Sequence, residues 1–202
     1  STTLEANAAM KSIVRKDTGE SWNEYVTRLM REEGVIDSDA EPSAEELRRY
    51  DRKRQDKKVS NDEWQSPHDP EAKITMMKDG RTHLAYKAEH VVDLKTEVIL
   101  AAEVYGADEA DTATLVPSWE QAQANVDSTE SGRVIEKAAA DKGYHAADTL
   151  VECQELDLLG VKTYIPEPQS QYERVWTDKP ASYKKAVYNN RKRCSRDNGK
   201  QL

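Results

Sequence analysis

The stretch from about Ile74 to Pro166 constrains the fold more than any other part of the chain. His83–Val92 (HLAYKAEHVV) alternates and is rich in β-branched side chains, as a half-buried strand is. Val98–Tyr105 (VILAAEVY) has the same character, and Asp93-Leu94-Lys95-Thr96-Glu97 between them reads as a turn, so the pair predicts a hairpin. A polar connection, Gly106–Thr114, leads to a helix with Leu115, Trp119, Ala122 and Val126 on one face. Pro117 fits that helix only in its first turn, where the missing N–H costs little. Val134–Ala140 is a short apolar run ending in Asp141, and Lys142-Gly143-Tyr144-His145 is a turn. Ala147–Leu159 predicts a helix with Ala147, Leu150, Val151 and Leu158 inward and Gly160 as its stop; Val161–Ile165 predicts a buried strand closed by Pro166. The order strand, strand, helix, strand, helix, strand predicts an α/β fold, a mixed sheet flanked by helices.

The flanks differ in composition. Residues 1–73 read as a helical or irregular insertion segment ahead of the α/β core at 74–166. Within it, Trp22, Tyr25, Val26, Leu29 and Met30 recur at helical spacing, which predicts a helix over Ser21–Glu33 closed by Gly34. Ser43 with Glu46 is a capping box that opens a second helix, and Lys57–Pro70 reads as a loop. Residues 167–202 are a linker and then a basic helix entered at Pro180. That helix has a thin apolar stripe of Tyr183, Ala186 and Val187, and carries Lys184, Lys185, Arg191, Lys192, Arg193 and Arg196.

Several function classes are disfavoured by composition. A net charge of −8 argues against a wholly basic nucleic-acid coat, though a local basic groove suffices for binding. Cys153 and Cys194 are far apart and show no metal-ligand spacing, so reduced thiols in a cytoplasmic protein are expected. No apolar run approaches the roughly 18–20 residues of a membrane span. His83 and His90 differ by an odd number within one strand and face opposite sides, which disfavours a shared metal site.

Ala138–His145 (AAADKGYH) is the segment richest in possible chemistry. A carboxylate at the end of a buried α/β strand stands where open sheets bind ligands. Gly143 permits close approach of a phosphodiester backbone, and Lys142 beside it suits a phosphate. Hard divalent ions take carboxylate oxygens and leave coordination positions for substrate phosphate. The plainer reading is an Asp that turns a strand into a loop.

A resemblance sharpens this. Ser1–Ala9 (STTLEANAA), Thr18–Tyr25 (TGESWNEY), His68–His90 with Val92-Asp93, Ala140–His145 (ADKGYH), Val161–Pro168 (VKTYIPEP) and Lys179–Arg193 resemble, in order, the catalytic region of bacterial insertion-sequence transposases of the DDE kind. The resemblance implies an RNase H-like domain in which an Asp, Asp, Glu triad binds Mg²⁺, nicks element ends and joins the freed 3′-hydroxyl to target DNA. By that resemblance Asp141 is the second acid, both catalytic residue and metal ligand. The first acid is expected just before Ser1, outside the chain, and the third after Leu202. The first strand of the sheet is therefore expected to be missing, and the chain to be an incomplete fragment, inactive alone. DNA is the implied partner, through Lys142, His145, Lys184, Lys185, Arg191, Lys192 and Arg193, with a homodimer or an intact transposase as a further partner.

Plainer readings accompany some of these residues. Asp93 and Asp79 are expected in turns. His145 is expected as a solvated loop histidine, and the mixed charges around Arg48–Lys58 as a solvated helix face. Two competing functions stand beside the first: a non-catalytic transposase remnant or DNA- or partner-binding module, and an RNase H-like nuclease with all its acids in this chain.

Overall fold

The structure is a computed structural model that describes residues 1–54, 61–158, 160–172 and 174–196. The chain divides into two compact units. One comprises residues 2–87 and 106–108, the other Ser1 with residues 88–105 and 109–202.

The first unit opens on a strand, β1 (Thr2–Glu5). Two short strands, β2 (Val14–Arg15) and β3 (Trp64–Gln65), pair antiparallel. Between them lie α1 (Trp22–Glu32) and α2 (Ala44–Lys53). Both helices begin with the capping box written in the sequence, Ser21 with Glu24 and Ser43 with Glu46. Each box satisfies two amide groups that a helix start otherwise leaves unbonded. Gly34 closes the first helix at φ 67°, a left-handed conformation that costs glycine little. Val26, Met30 and Leu47 bury together, with Trp22, Tyr25, Ile36 and Tyr50 packed around them. Arg15 ties the β2–β3 pair down. Its guanidinium meets Asp17 at 2.6 Å and Glu63 at 2.7 Å, and lies 4.9 Å from the Tyr25 ring centre.

The segment expected to be helical or irregular thus carries β1, β2 and β3 beside its two helices. The expected loop at Lys57–Pro70 contains β3, because Trp64 buries its ring against Ala72, Ile74 and Leu84. Residues 57–60 of that loop lie outside the described residues. β4 (Lys73–Met76) pairs antiparallel with β5 (Thr82–Val92), Ile74 opposite Leu84. β1 also pairs with β5, and Ala6 N–H donates to Leu84 O at 2.8 Å.

β5 continues into the second unit, where β6 (Ile99–Gly106) pairs with it. The turn between them is held by Asp93, whose carboxylate accepts from Lys95 N–H at 3.2 Å and from the Thr96 hydroxyl. Next comes α3 (Asp111–Asp127). It starts earlier than expected, so Pro117 lies inside the helix rather than in its first turn. Pro117 has no N–H to give the Ala113 carbonyl. The helix persists through it because Thr114, Leu115, Ser118, Trp119 and Ala122 are all buried.

β7 (Lys137–Ala139) pairs parallel with β8 (Lys162–Tyr164), Ala138 opposite Thr163, and α4 (Ala147–Leu158) connects them. α5 (Ala181–Cys194) follows Pro180, which stands at the cap position. Leu115, Trp119, Ala138, Tyr144, Leu150, Cys153, Ile165, Ala186 and Val187 form the core of this unit. The inward side chain expected of Leu158 lies outside the described residues.

The chain is mixed α/β, with helices and an antiparallel β4–β5 pair. The single mixed sheet expected is, among the described residues, three sheets: β1, β4, β5 and β6 in one, β2–β3 in another, β7–β8 in the third. β7 and β8 have three residues each and offer short ladders. No described helix is long and apolar enough to cross a membrane.

Candidate functional site

β7 ends at Ala139, and its ladder is extended by Ala140 N–H, which donates to Tyr164 O at 3.1 Å. The chain then turns sharply through a 3-10 turn at Lys142–Tyr144, with Asp141 as its cap. The Asp141 Oδ1 accepts from Gly143 N–H at 2.6 Å, and the Asp141 carbonyl accepts from Tyr144 N–H at 3.1 Å. Asp141, Lys142 and Gly143 are exposed, while Tyr144 is buried. The strand end therefore delivers one carboxylate to solvent on a turn anchored by an aromatic ring.

A second carboxylate comes to the same place. Asp111 is the first residue of α3, and its Oδ1 accepts from the Ser1 hydroxyl at 2.9 Å. A β-carbon placed on Gly143 would lie 3.2 Å from Asp111 Oδ2 and 3.5 Å from Asp141 Oδ1. Glycine thus keeps open the space between the two acids. The Ser1 amino group donates to the Tyr144 hydroxyl at 3.0 Å, which brings the start of the chain to the same turn.

Beneath the pair is Glu89, in β5 and only 4% exposed. Its Oε1 accepts from the hydroxyls of Thr114 and Tyr144, the latter at 3.3 Å, and its Oε2 accepts from Ser118 at 3.3 Å. Burial, with help from the nearby charges of Glu89 and Asp111, pushes the Tyr144 phenol up to about 12. Tyr144 therefore stays a neutral donor at ordinary pH.

Of the residues singled out in sequence, Asp141 and Lys142 fall here. His145 does not sit in a solvated loop: it is 8% exposed, with Arg174 Nη2 3.1 Å from its Nδ1. Burial first, then the Arg174 and Arg191 charges, lowers its pKa. Arg174 and Arg191 share Glu167 at 2.9 and 2.8 Å, and Arg191 chiefly holds that carboxyl below its usual range.

The basic residues of α5 separate by role. Lys184 and Lys185 are exposed and, with Tyr188, Ala181 and Asn189, line a shallow surface hollow; Lys192 is also exposed. Arg191 lies 4.9 Å from the Tyr188 ring centre. Arg193 is turned inward: its Nε donates to Thr163 O at 2.9 Å and its Nη2 to Thr163 Oγ1 at 3.0 Å.

Sequence reasoning missed Asp111 and Glu89. Asp111 fell inside a stretch read as a polar connection, although an acid that opens a helix after a strand is a recognisable signal. Glu89 lies in a strand beside buried Lys87 and Ala88 and exposed His90, and a buried carboxylate there must find hydrogen-bond donors. Among the described residues, no group of three His, Cys, Asp or Glu side chains is arranged to hold a metal ion.

The family model described as the transposase DDE domain matches residues 58–197. No curated protein and no solved structure matches the chain. Asp111, Asp141 and the basic helix lie within the matched residues, which span more than half of the chain, and the protein belongs to the transposase DDE domain family, the domain of DNA transposition.

Proposed function

We propose that this chain belongs to an RNase H-like transposase catalytic region of the insertion-sequence kind, in which Asp141 is the second acid and works on DNA phosphodiesters with Mg²⁺. The observation that carries this reading is that carboxylate oxygens of Asp111 and Asp141 both lie beside Gly143, 3.2 and 3.5 Å from where a β-carbon on it would stand. Hard carboxylate oxygens suit Mg²⁺, which keeps several positions for water and phosphate and needs only one or two protein carboxylates. Asp111 and Asp141 are the residues that would hold the ion. When bound, the ion supplies activation of an attacking oxygen and stabilisation of a leaving one.

The chain's own residues do the rest. Lys142, exposed beside the acids, meets a phosphate of the strand being cut. Tyr144 anchors the turn below. Lys184, Lys185 and Lys192 give sequence-independent affinity for the DNA backbone.

A second reading, a DNA-binding module without chemistry, is favoured by one observation: the described acids at the site are a pair, not a triad. One experiment separates the two. The chain is joined to segments that supply the Asp and the Glu the resemblance implies, and cleavage of element-end DNA is measured with and without Mg²⁺. Mg²⁺-dependent cleavage that Asp141→Asn abolishes supports the enzyme. Cleavage that survives Asp141→Asn removes the assignment.

A further inference from the structure

We propose that Glu89 is a positioning residue that fixes the distance between Asp111 and Asp141; this rests on the reading of those acids as the ion-holding pair. Nothing in the family match or in the proposed chemistry assigns Glu89 a role.

A carboxylate 4% exposed in the middle of a strand is expensive unless its oxygens are bonded. Here three hydroxyls meet it, from two elements that each carry one of the acids. Thr114 Oγ1 bonds Glu89 and also lies 3.2 Å from the Asp111 carbonyl, one turn of α3 away. Ser118, a further turn along α3, bonds the other Glu89 oxygen and pairs with Tyr105 at 3.0 Å. Tyr144 Oη bonds Glu89, and the Tyr144 backbone N–H closes the turn on the Asp141 carbonyl. Glu89 Oε1 thus takes one hydroxyl from the Asp111 helix and one from the Asp141 turn. A single oxygen sets the two elements at a common distance.

A glutamine keeps Oε1 and so keeps both Thr114 and Tyr144; its amide can donate to Ser118, whose hydroxyl also accepts. Alanine keeps none. Partners lying behind metal ligands typically contribute 10–100-fold in metal affinity.

The test uses the full chain and Mn²⁺ as probe, with two readouts. The first is the Gly143 amide resonance, which reports its bond to Asp141 without any metal. The second is Mn²⁺ affinity. Glu89→Ala and Tyr144→Phe are expected to move the Gly143 resonance and to weaken Mn²⁺ about tenfold or more. Glu89→Gln should restore both, and Glu89→Ala combined with Tyr144→Phe should be no worse than the poorer single change. Tyr144→Phe keeps the buried ring, so it stands as the test if Glu89→Ala fails to fold. An unmoved Gly143 resonance in Tyr144→Phe, failure of Glu89→Gln to rescue, or additive losses would overturn the proposal. Asp141→Asn is the separate control. If it binds Mn²⁺ like the unaltered chain, the ion-site reading fails, whatever the Gly143 resonance says about Glu89.

Discussion

Asp111 and Asp141 approach one another across Gly143, their nearest oxygens 3.2 and 3.5 Å from the point where a β-carbon on that glycine would stand. One acid opens a helix and the other closes a strand, so the pair exists only in the folded chain.

Gly143→Ala tests what that space is for. Gly143 is outside the left-handed region, so alanine meets no backbone strain there. Stability in urea should change by no more than about 1 kcal/mol. Mn²⁺ affinity should fall about tenfold as the methyl pushes the carboxylates apart. Unchanged affinity would mean that the space has no bearing on the ion.

Asp141 has two separable jobs, cap and ligand. Asp141→Asn keeps an oxygen for the 2.6 Å bond from Gly143 N–H, and its urea midpoint should stay close to that of the unaltered chain. Asp141→Ala loses the bond and should cost about 1 kcal/mol. Both should abolish Mn²⁺ binding at the site. Equal stability of the two variants would show that the cap bond contributes nothing.

The cations of α5 should divide in a DNA-binding titration. Lys184→Ala and Lys185→Ala should weaken duplex binding and each lower the salt slope by about one unit. Arg193→Ala should instead destabilise the fold by about 1–3 kcal/mol, because it strips the Thr163 carbonyl and hydroxyl of their donor. A loss of DNA affinity in Arg193→Ala with unchanged stability would reverse this division.

Two histidines should give pH effects of opposite sign. Asp79 first, then Glu5, raises the pKa of His83, which they flank at 2.9 and 2.7 Å. Its contribution is full below the ordinary value of 6.5 and is lost as pH rises through the folded value. Burial lowers the pKa of His145, so the folded state disfavours its protonation and stability falls as pH drops below 6.5. His83→Gln should flatten the alkaline side of the stability profile and His145→Gln the acid side. Profiles matching that of the unaltered chain would contradict both.

What the sequence made legible was local. The capping box at Ser43 and Glu46, the turn at Asp93 and the stop at Gly160, φ 95°, depend on neighbours in the chain, and the residues that make them are visible without a fold. That Asp141 ends an apolar run and opens a turn was legible because the acid, a glycine and the strand end are adjacent. Partners distant in sequence were not. Glu89 reads as an oddity in a strand until Thr114, Ser118 and Tyr144 surround it. Asn190 reads as part of a basic helix, yet it is fully buried and bonds the Ile165 backbone through both its oxygen and its nitrogen. Arg193 looked like its cationic neighbours, and only the position of β8 beside α5 sets it apart. Pro117 was misplaced because its fit was judged on backbone cost alone, whereas the buried side chains around it hold the helix through it.

The most direct measurement is paramagnetic broadening in the ¹⁵N-labelled chain as Mn²⁺ is added. The account predicts that the amides of Gly143, Lys142 and Asp111 broaden first, and that Asp141→Asn removes the effect at low Mn²⁺. Broadening centred elsewhere, or the same pattern in Asp141→Asn, would contradict the claim that Asp141 and Asp111 form the ion-holding pair of a DNA-processing site.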